Sequence, residues 1–374
     1  MDSTNQEWSR RKFIATVSGA GAAMMLNTFS SLANNENADS RVAKIIAKTT
    51  GIDTHNHIDV PFKAEDFICQ KYDLAGEIKK SGLSAICMTF QVDRPKLTEP
   101  GEAYKRFISC LDEMDEILKD NNMKRALNFL DLKKARKQNK PIVIQSVEGG
   151  HFIEGQIERL EVAYNRGVRH LGLLHDNQSF VPLGDIYTNP AQFGGLTEFG
   201  ANVIKECNRL GILVDLAHCS NETIDDALKV TTKPILISHT GLNTQLGKNE
   251  KMAKMMMPRL ISKEQAKIVA NAGGVIGLWT HLADTPLEYA QNIRAMVDVI
   301  GTEHVCIGTD TKMAVPANSN AQSGNKTNTA WKNEKGSFFY TVVDAMLKSG
   351  FTENEIAKIG GKNYSRIFDK ATSV

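Results

Sequence analysis

Eight short apolar runs rich in Val and Ile recur along the chain. Between them lie longer segments in which apolar residues return every three or four positions. The runs span residues 51–58, 84–90, 141–148, 168–175, 212–218, 234–239, 274–280 and 305–310. Several are apolar almost throughout, as strands buried on both faces are. The intervening periodicity predicts helices such as 197–210, 223–230 and 262–272. Strand–helix alternation of this kind builds a parallel sheet. An open doubly wound sheet would carry a Gly-rich phosphate loop after its first strand. Asp53-Thr54-His55-Asn56-His57 stands there instead. Eight units favour closure, so the expected fold is α/β, a single (β/α)₈ TIM barrel over residues 42–374. The connections 241–258 and 318–335 read as long loops, the first ending in Met252, Met255, Met256 and Met257.

The N-terminus breaks this pattern. Ser9-Arg10-Arg11-Lys12-Phe13-Ile14 leads into an Ala/Gly-rich apolar stretch from Ala15 to Leu26, then Ser31-Leu32-Ala33. A charged start, a short apolar stretch and a small-residue end describe an export signal, and the stretch is too short to span a bilayer. The Arg pair resembles a twin-arginine signal. Residues 1–33 are therefore expected to be removed on export, followed by a flexible leader at 34–41. The mature chain would then be periplasmic, with no membrane span. At 374 residues, 41% apolar and 24% charged, the rest is ordinary globular protein. A formal charge of +2 without a basic run excludes a nucleic-acid surface. The six cysteines form no CxxC pair; Cys87 and Cys306 sit in strand-like runs and read as buried, inert thiols.

The polar residues at the ends of these runs carry the chemistry. His55 and His57 share a strand face, since residues i and i+2 point the same way. Glu148 ends the third run, His175 the fourth, His218 the fifth, His239 the sixth and Asp310 the eighth. A barrel of this type gathers its C-terminal strand ends around one pocket. Imidazoles and carboxylates are the usual ligands of zinc and similar ions, and this set exceeds the needs of one ion. Two ions bridged by a carboxylate, about 3.5–4 Å apart, would use the set and could hold a bridging hydroxide. His151, His170, His281 and His304 lack this placement and read as structural. Asp53 and Asp215 lie within strands and are expected to orient neighbours or serve the fold.

These residues sit in segments that resemble the renal-type membrane dipeptidases, metallopeptidase family M19, within the amidohydrolase-like barrels. Asp53-Thr54-His55-Asn56 is similar to that family's opening Asp-Gly-His-Asn, and Ser146-Val147-Glu148-Gly149-Gly150 to its Val-Glu-Gly-Gly. Gly167-Val168-Arg169-His170-Leu171 leads to His175, and the segment from Asn208 to His218 matches most fully. Ser238-His239-Thr240, Ala272-Gly273-Gly274-Val275-Ile276-Gly277, Ile307-Gly308-Thr309-Asp310 and Gly360-Gly361-Lys362-Asn363 complete the series. The resemblance implies two zinc ions bridged by Glu148, one held by His218 and His239, the other by His55 and its i+2 partner His57. It further implies that His175 binds substrate or stabilises the tetrahedral intermediate. Asp310 would contact the substrate's amino group or handle the proton, and Arg259 would receive the substrate carboxylate. A dipeptide substrate and a homodimer are implied in the same way.

Three departures from the family pattern stand out. The family's His-x-Asp is His55-Asn56-His57 here, with Asp59 just beyond. The connection leading to Arg259 is longer, and Lys312 replaces an acid, which favours a more anionic substrate. The reading is an exported zinc dipeptidase. Its rivals are a barrel acting on another small amide or ester, and one recruited to bind or mature a peptidic metabolite. The phosphotriesterase-like version fits less well, because its bridging lysine on the fourth strand is absent.

Overall fold

All eight runs become strands: β1 (Ile52–His57), β2 (Ala85–Gln91), β3 (Ile142–Glu148), β4 (Val168–Gly172), β5 (Leu213–Asp215), β6 (Leu236–Thr240), β7 (Val275–Leu278) and β8 (Val305–Ile307). The computed structural model describes residues 40–58, 71–187, 190–315, 326–331, 334 and 336–373. The export signal, Asp59 and Cys69 lie outside them. Neighbouring strands pair in parallel from β2 round to β8 and β1, and β1 pairs back onto β2 to close the barrel. A two-residue strand, β9 (Thr311–Lys312), extends the β8 run along β1.

Parallel neighbours need long crossovers, and capped helices supply them. Thr197 accepts a hydrogen bond from Gly200 N and opens Glu198–Leu210, which Gly211 ends in the left-handed conformation. Ser262 opens Lys263–Asn271 in the same way. Asn221–Val230 starts two residues earlier than its periodicity suggests, because the Ser220 side chain caps Thr223 N. The 241–258 connection is not a plain loop: Asn249 caps a helix at Glu250–Met256, followed by a 3₁₀ turn at Met257–Arg259. Within 318–335, Thr327–Thr329 forms a 3₁₀ turn and Trp331 is buried. Ser40 and Arg41, placed in the leader by sequence, begin the helix Ser40–Lys48.

The apolar core has two parts. The larger joins the outer strand faces to the helices. The smaller fills the barrel floor, where Ile52, Cys87, Ile144, Leu213 and Cys306 meet Tyr364, Ile367 and Phe368 of the C-terminal helix Asn363–Thr372. Cys87 and Cys306 are buried free thiols. With the floor plugged, polar side chains concentrate at the opposite mouth.

Candidate active site and metal centre

Glu148, at the last position of β3, is 3% exposed and sits among imidazoles. Its Oε1 lies 3.0 Å from His218 Nε2, 3.3 Å from His55 Nε2 and 3.7 Å from His239 Nε2. Its Oε2 lies 3.3 Å from His175 Nε2 and 3.7 Å from His57 Nε2. His55 and His57 bring their Nε2 atoms within 3.2 Å of each other, and His218 and His239 theirs within 3.0 Å. Asp310 Oδ1 lies 3.1 Å from His57 Nε2. Arg259 Nη2 donates to His239 Nε2 at 2.8 Å and to His218 Nε2 at 3.1 Å, and approaches Asp310 Oδ2 at 3.6 Å. Every residue singled out at the strand ends, and Arg259 with them, thus reaches one pocket. A cavity of about 420 Å³ opens beside it, lined by Tyr187, His218, His239, Met257, Arg259 and Ile261.

Backbone irregularities aim these side chains. Between Asp53 and Asn56 the register of β1 shifts by one residue against β2, and β6 shifts against β7 between Ile237 and Thr240. Both irregularities fall at site histidines, where bulges commonly re-aim a side chain. His218 (φ 66°) and Asp310 (φ 54°) adopt the left-handed region without being glycine. Such strain persists only where surroundings enforce it, and it clusters at functional sites. Asp310 N donates to His55 O at 3.1 Å, which fixes the turn between β8 and β9.

The electrostatics keep these groups in ligating form. Burial opposes the Glu148 carboxylate, yet the imidazoles of His175 and His55 facing it and hydrogen bonds from His218 and His55 hold it well below the usual range. Asp310 is held low in the same way, against burial, by His239, His281 and His57. Burial, with the nearby His55, pushes His239 far below the ordinary imidazole value, so it stays neutral. Glu148 Oε2 is buried without a hydrogen-bond partner. A buried acceptor of this kind calls for a ligand or proton. Three overlapping groups offer donor atoms within 4.8 Å of one another: His55, His57 and Asp310; His55, Glu148 and His239; Glu148, His175 and His218. Nitrogen and carboxylate donors in this number fit divalent metal.

The orienting partners were the part sequence reasoning missed. Asp93 Oδ1 accepts from His175 Nδ1 at 2.6 Å, and Asp176 Oδ1 from His218 Nδ1 at 3.0 Å. Ser238 Oγ lies 2.8 Å from His239 Nδ1 and 3.4 Å from His55 Nδ1. His281, read as structural, instead places Nε2 2.8 Å from Asp310 Oδ2. One signal was available: the second and seventh runs ended without a ligand, and Asp93 and His281 lie just past them. The other structural readings agree with the contacts found. His170 pairs with Asp215 beneath the site, His151 Nε2 meets Asn177 O at 2.6 Å, and His304 Nδ1 meets Gly274 O at 2.8 Å. Asp53 binds Thr309 and Asn56, and Asp215 receives Ala217 N and Ser238 N.

A closed parallel barrel with a carboxylate-centred imidazole cluster at its C-terminal mouth is the architecture of a metal-dependent hydrolase. A family model for membrane dipeptidases (peptidase family M19) matches residues 39–374, and the chain belongs to that family, an enzyme family of dipeptide hydrolysis. Solved structures repeat the fold at low identity. An amidohydrolase from Pseudomonas aeruginosa aligns with TM-score 0.71 at 21% identity over 89% of this chain and 99% of its own. The probable dipeptidase PvdM from Pseudomonas aeruginosa aligns with TM-score 0.72 at 14% identity over 89% and 98%. A metallopeptidase from Rhodobacter sphaeroides, liganded with a phosphinate mimic of the dipeptide L-Ala-D-Ala, aligns with TM-score 0.64 at 15% identity over 86% and 99%.

Proposed function

We propose that this metallodipeptidase is a two-zinc enzyme, exported to the periplasm, that cleaves the peptide bond of dipeptides. The observation that carries this is the position of Glu148 between two imidazole pairs, each with facing Nε2 atoms. His55 and His57 would hold one ion and His218 and His239 the other, with Glu148 bridging. Bound there, zinc would supply Lewis acidity, lowering the pKa of water and polarising the scissile carbonyl.

The chain's own groups then do the following. Arg259 turns its guanidinium fork to the substrate carboxylate, for which a bidentate geometry suits it. His175, held by Asp93, contacts the substrate and helps stabilise the tetrahedral intermediate. Asp310, a carboxylate at neutral pH, takes a proton from the attacking water. As the C–O bond forms and the C–N bond breaks, it returns that proton to the leaving amine. Lys312 stands in register with His57 on the adjoining strand. Export rests on Arg10-Arg11 and the apolar stretch after it. No described helix is long and apolar enough to cross a membrane.

The test is metal analysis of the purified mature protein together with turnover on a panel of L-L and L-D dipeptides. Two zinc per chain with turnover is the expected result. Metal-loaded protein inert towards the whole panel would overturn the reading.

A further inference from the structure

Asp176 follows His175 directly in sequence, yet its carboxylate serves a different strand end. A metal-binding imidazole must present one bare nitrogen, and its other N–H needs an acceptor that fixes tautomer and ring plane. His239 and His55 find the neutral Ser238 hydroxyl for this purpose. His218 instead has a carboxylate, Asp176 Oδ1, at 3.0 Å from Nδ1, while its Nε2 faces Glu148 at 3.0 Å. We propose that Asp176 is the positioning residue that presents His218 to a metal ion, locked in place by Tyr187 and by the Asp93-Arg94 pair beyond β2.

The contacts around Asp176 leave it little freedom. Tyr187 Oη donates to its Oδ1 at 2.8 Å, and Arg94 pairs with its Oδ2. Tyr187 also donates its backbone N–H to His218 O at 3.0 Å. One residue thus holds both the histidine and the acid that orients it. This matters because His218 sits at φ 66°, a conformation its surroundings must sustain. The neighbouring acid closes the grip from the other side. Asp93 accepts from His175 Nδ1 at 2.6 Å, from Asn177 N at 3.1 Å and from Asn177 Nδ2 at 2.9 Å. Residues 93 and 94 therefore clasp 175, 176 and 177 in turn. A carboxylate against Nδ1 also makes Nε2 a stronger donor to metal than a hydroxyl would.

The inference rests on His218 being a metal ligand. The experiment is zinc titration of the full mature chain in competition with a chelator of known affinity, which reads both ions without reference to catalysis. Asp176→Asn should weaken one of the two ions by about 10- to 100-fold and leave the other within a few-fold. Asp176→Glu should recover part of that loss. Tyr187→Phe, which keeps the acid and removes one of its donors, should shift the same ion in the same direction by less; it decides the matter if Asp176→Asn does not fold. Asp93→Asn should lower kcat and, by loosening the clasp on residues 175–177, weaken the same ion by less than Asp176→Asn does. Wild-type affinity for both ions in folded Asp176→Asn, or equal weakening of the two, would overturn the inference. Wild-type protein that binds two ions and cleaves no dipeptide would sink the proposed function and leave this titration readable.

Discussion

Five imidazoles, those of His55, His57, His175, His218 and His239, lie within 3.7 Å of the Glu148 carboxylate. Glu148→Gln keeps the shape and removes the charge that the bridging assignment needs. Dipeptide turnover should fall by more than the about 10–100-fold that loss of an outer partner costs, with metal content below wild type in the same preparation. Full metal content with wild-type turnover would remove Glu148 from the centre. The same crowding makes a prediction about pH in metal-stripped protein. Burial depresses His239 and His175 below the ordinary value of 6.5, in His175 against the pull of Glu148 and Asp93. As pH falls through 6.5 the unfolded chain takes up these two protons and the folded chain does not, so stability falls with falling pH. Each imidazole contributes a slope of about 1.4 kcal/mol per pH unit. Glu148 and Asp310, depressed as carboxylates, add a loss of the same sign below about pH 4. Thermal melts of chelator-treated protein should therefore decline from pH 6.5 towards 5, and a flat melting temperature across that range would contradict the burial argument.

At the level of the strand, what sequence reveals is the residue type at an end that geometry forces inward. His55, His57, Glu148 and His239 were legible because barrel closure carries strand ends to one mouth whatever the loops do. His175, His218 and Asp310, three residues past β4, β5 and β8, were legible because they still end apolar runs. Asp93, Asp176 and His281 were not, because their partners depend on the path of a loop after the strand stops. Asp176 looks like a solvated loop acid, and His281 lies one residue past the run that carries β7. The helix at Glu250–Met256 was missed for a related reason: about two turns over seven residues leave too little periodicity to read. Strand spacing was equally hidden. Ser238 O reaches across to accept from Thr54 Oγ1 at 2.9 Å, and it can do so only because β7 and the β8 run carry glycine there. A Cβ on Gly308 would stand 1.7 Å from Ser238 O, and one on Gly277 1.9 Å. Gly308→Ala should cost at least the upper end of the about 1–3 kcal/mol typical of overpacking. It should also weaken zinc binding, since the displaced Ser238 holds His239. Urea unfolding and zinc titration of the variant check both, and wild-type values in each would show that the barrel wall yields more than this packing allows.

Across the whole molecule the two ends of the barrel divide labour, and the division can be tested from the end without chemistry. Tyr364, Ile367 and Phe368 are fully buried in the barrel floor, and Asn363 Nδ2 ties their helix to the β8 strand by donating to Val305 O at 2.8 Å. Burying three such side chains is worth about 1.5–3 kcal/mol each. Their sum is comparable with the about 5–15 kcal/mol that stabilises a typical folded protein. A chain ending at Lys362 should therefore fail to reach the native state, with loss of the cooperative melt. Phe368→Ala should cost about 3–5 kcal/mol and still fold. Its cavity opens at the floor, whereas Glu148, the imidazoles and their partners gather at the mouth. Residual structure held by the outer core should then keep zinc affinity and kcat/KM near wild type even as the melting temperature falls. A loss of zinc affinity as large as the loss of stability would mean that the floor positions the site, because a strand displaced at one end by the missing ring would have to carry that shift along its length to the histidine at the other.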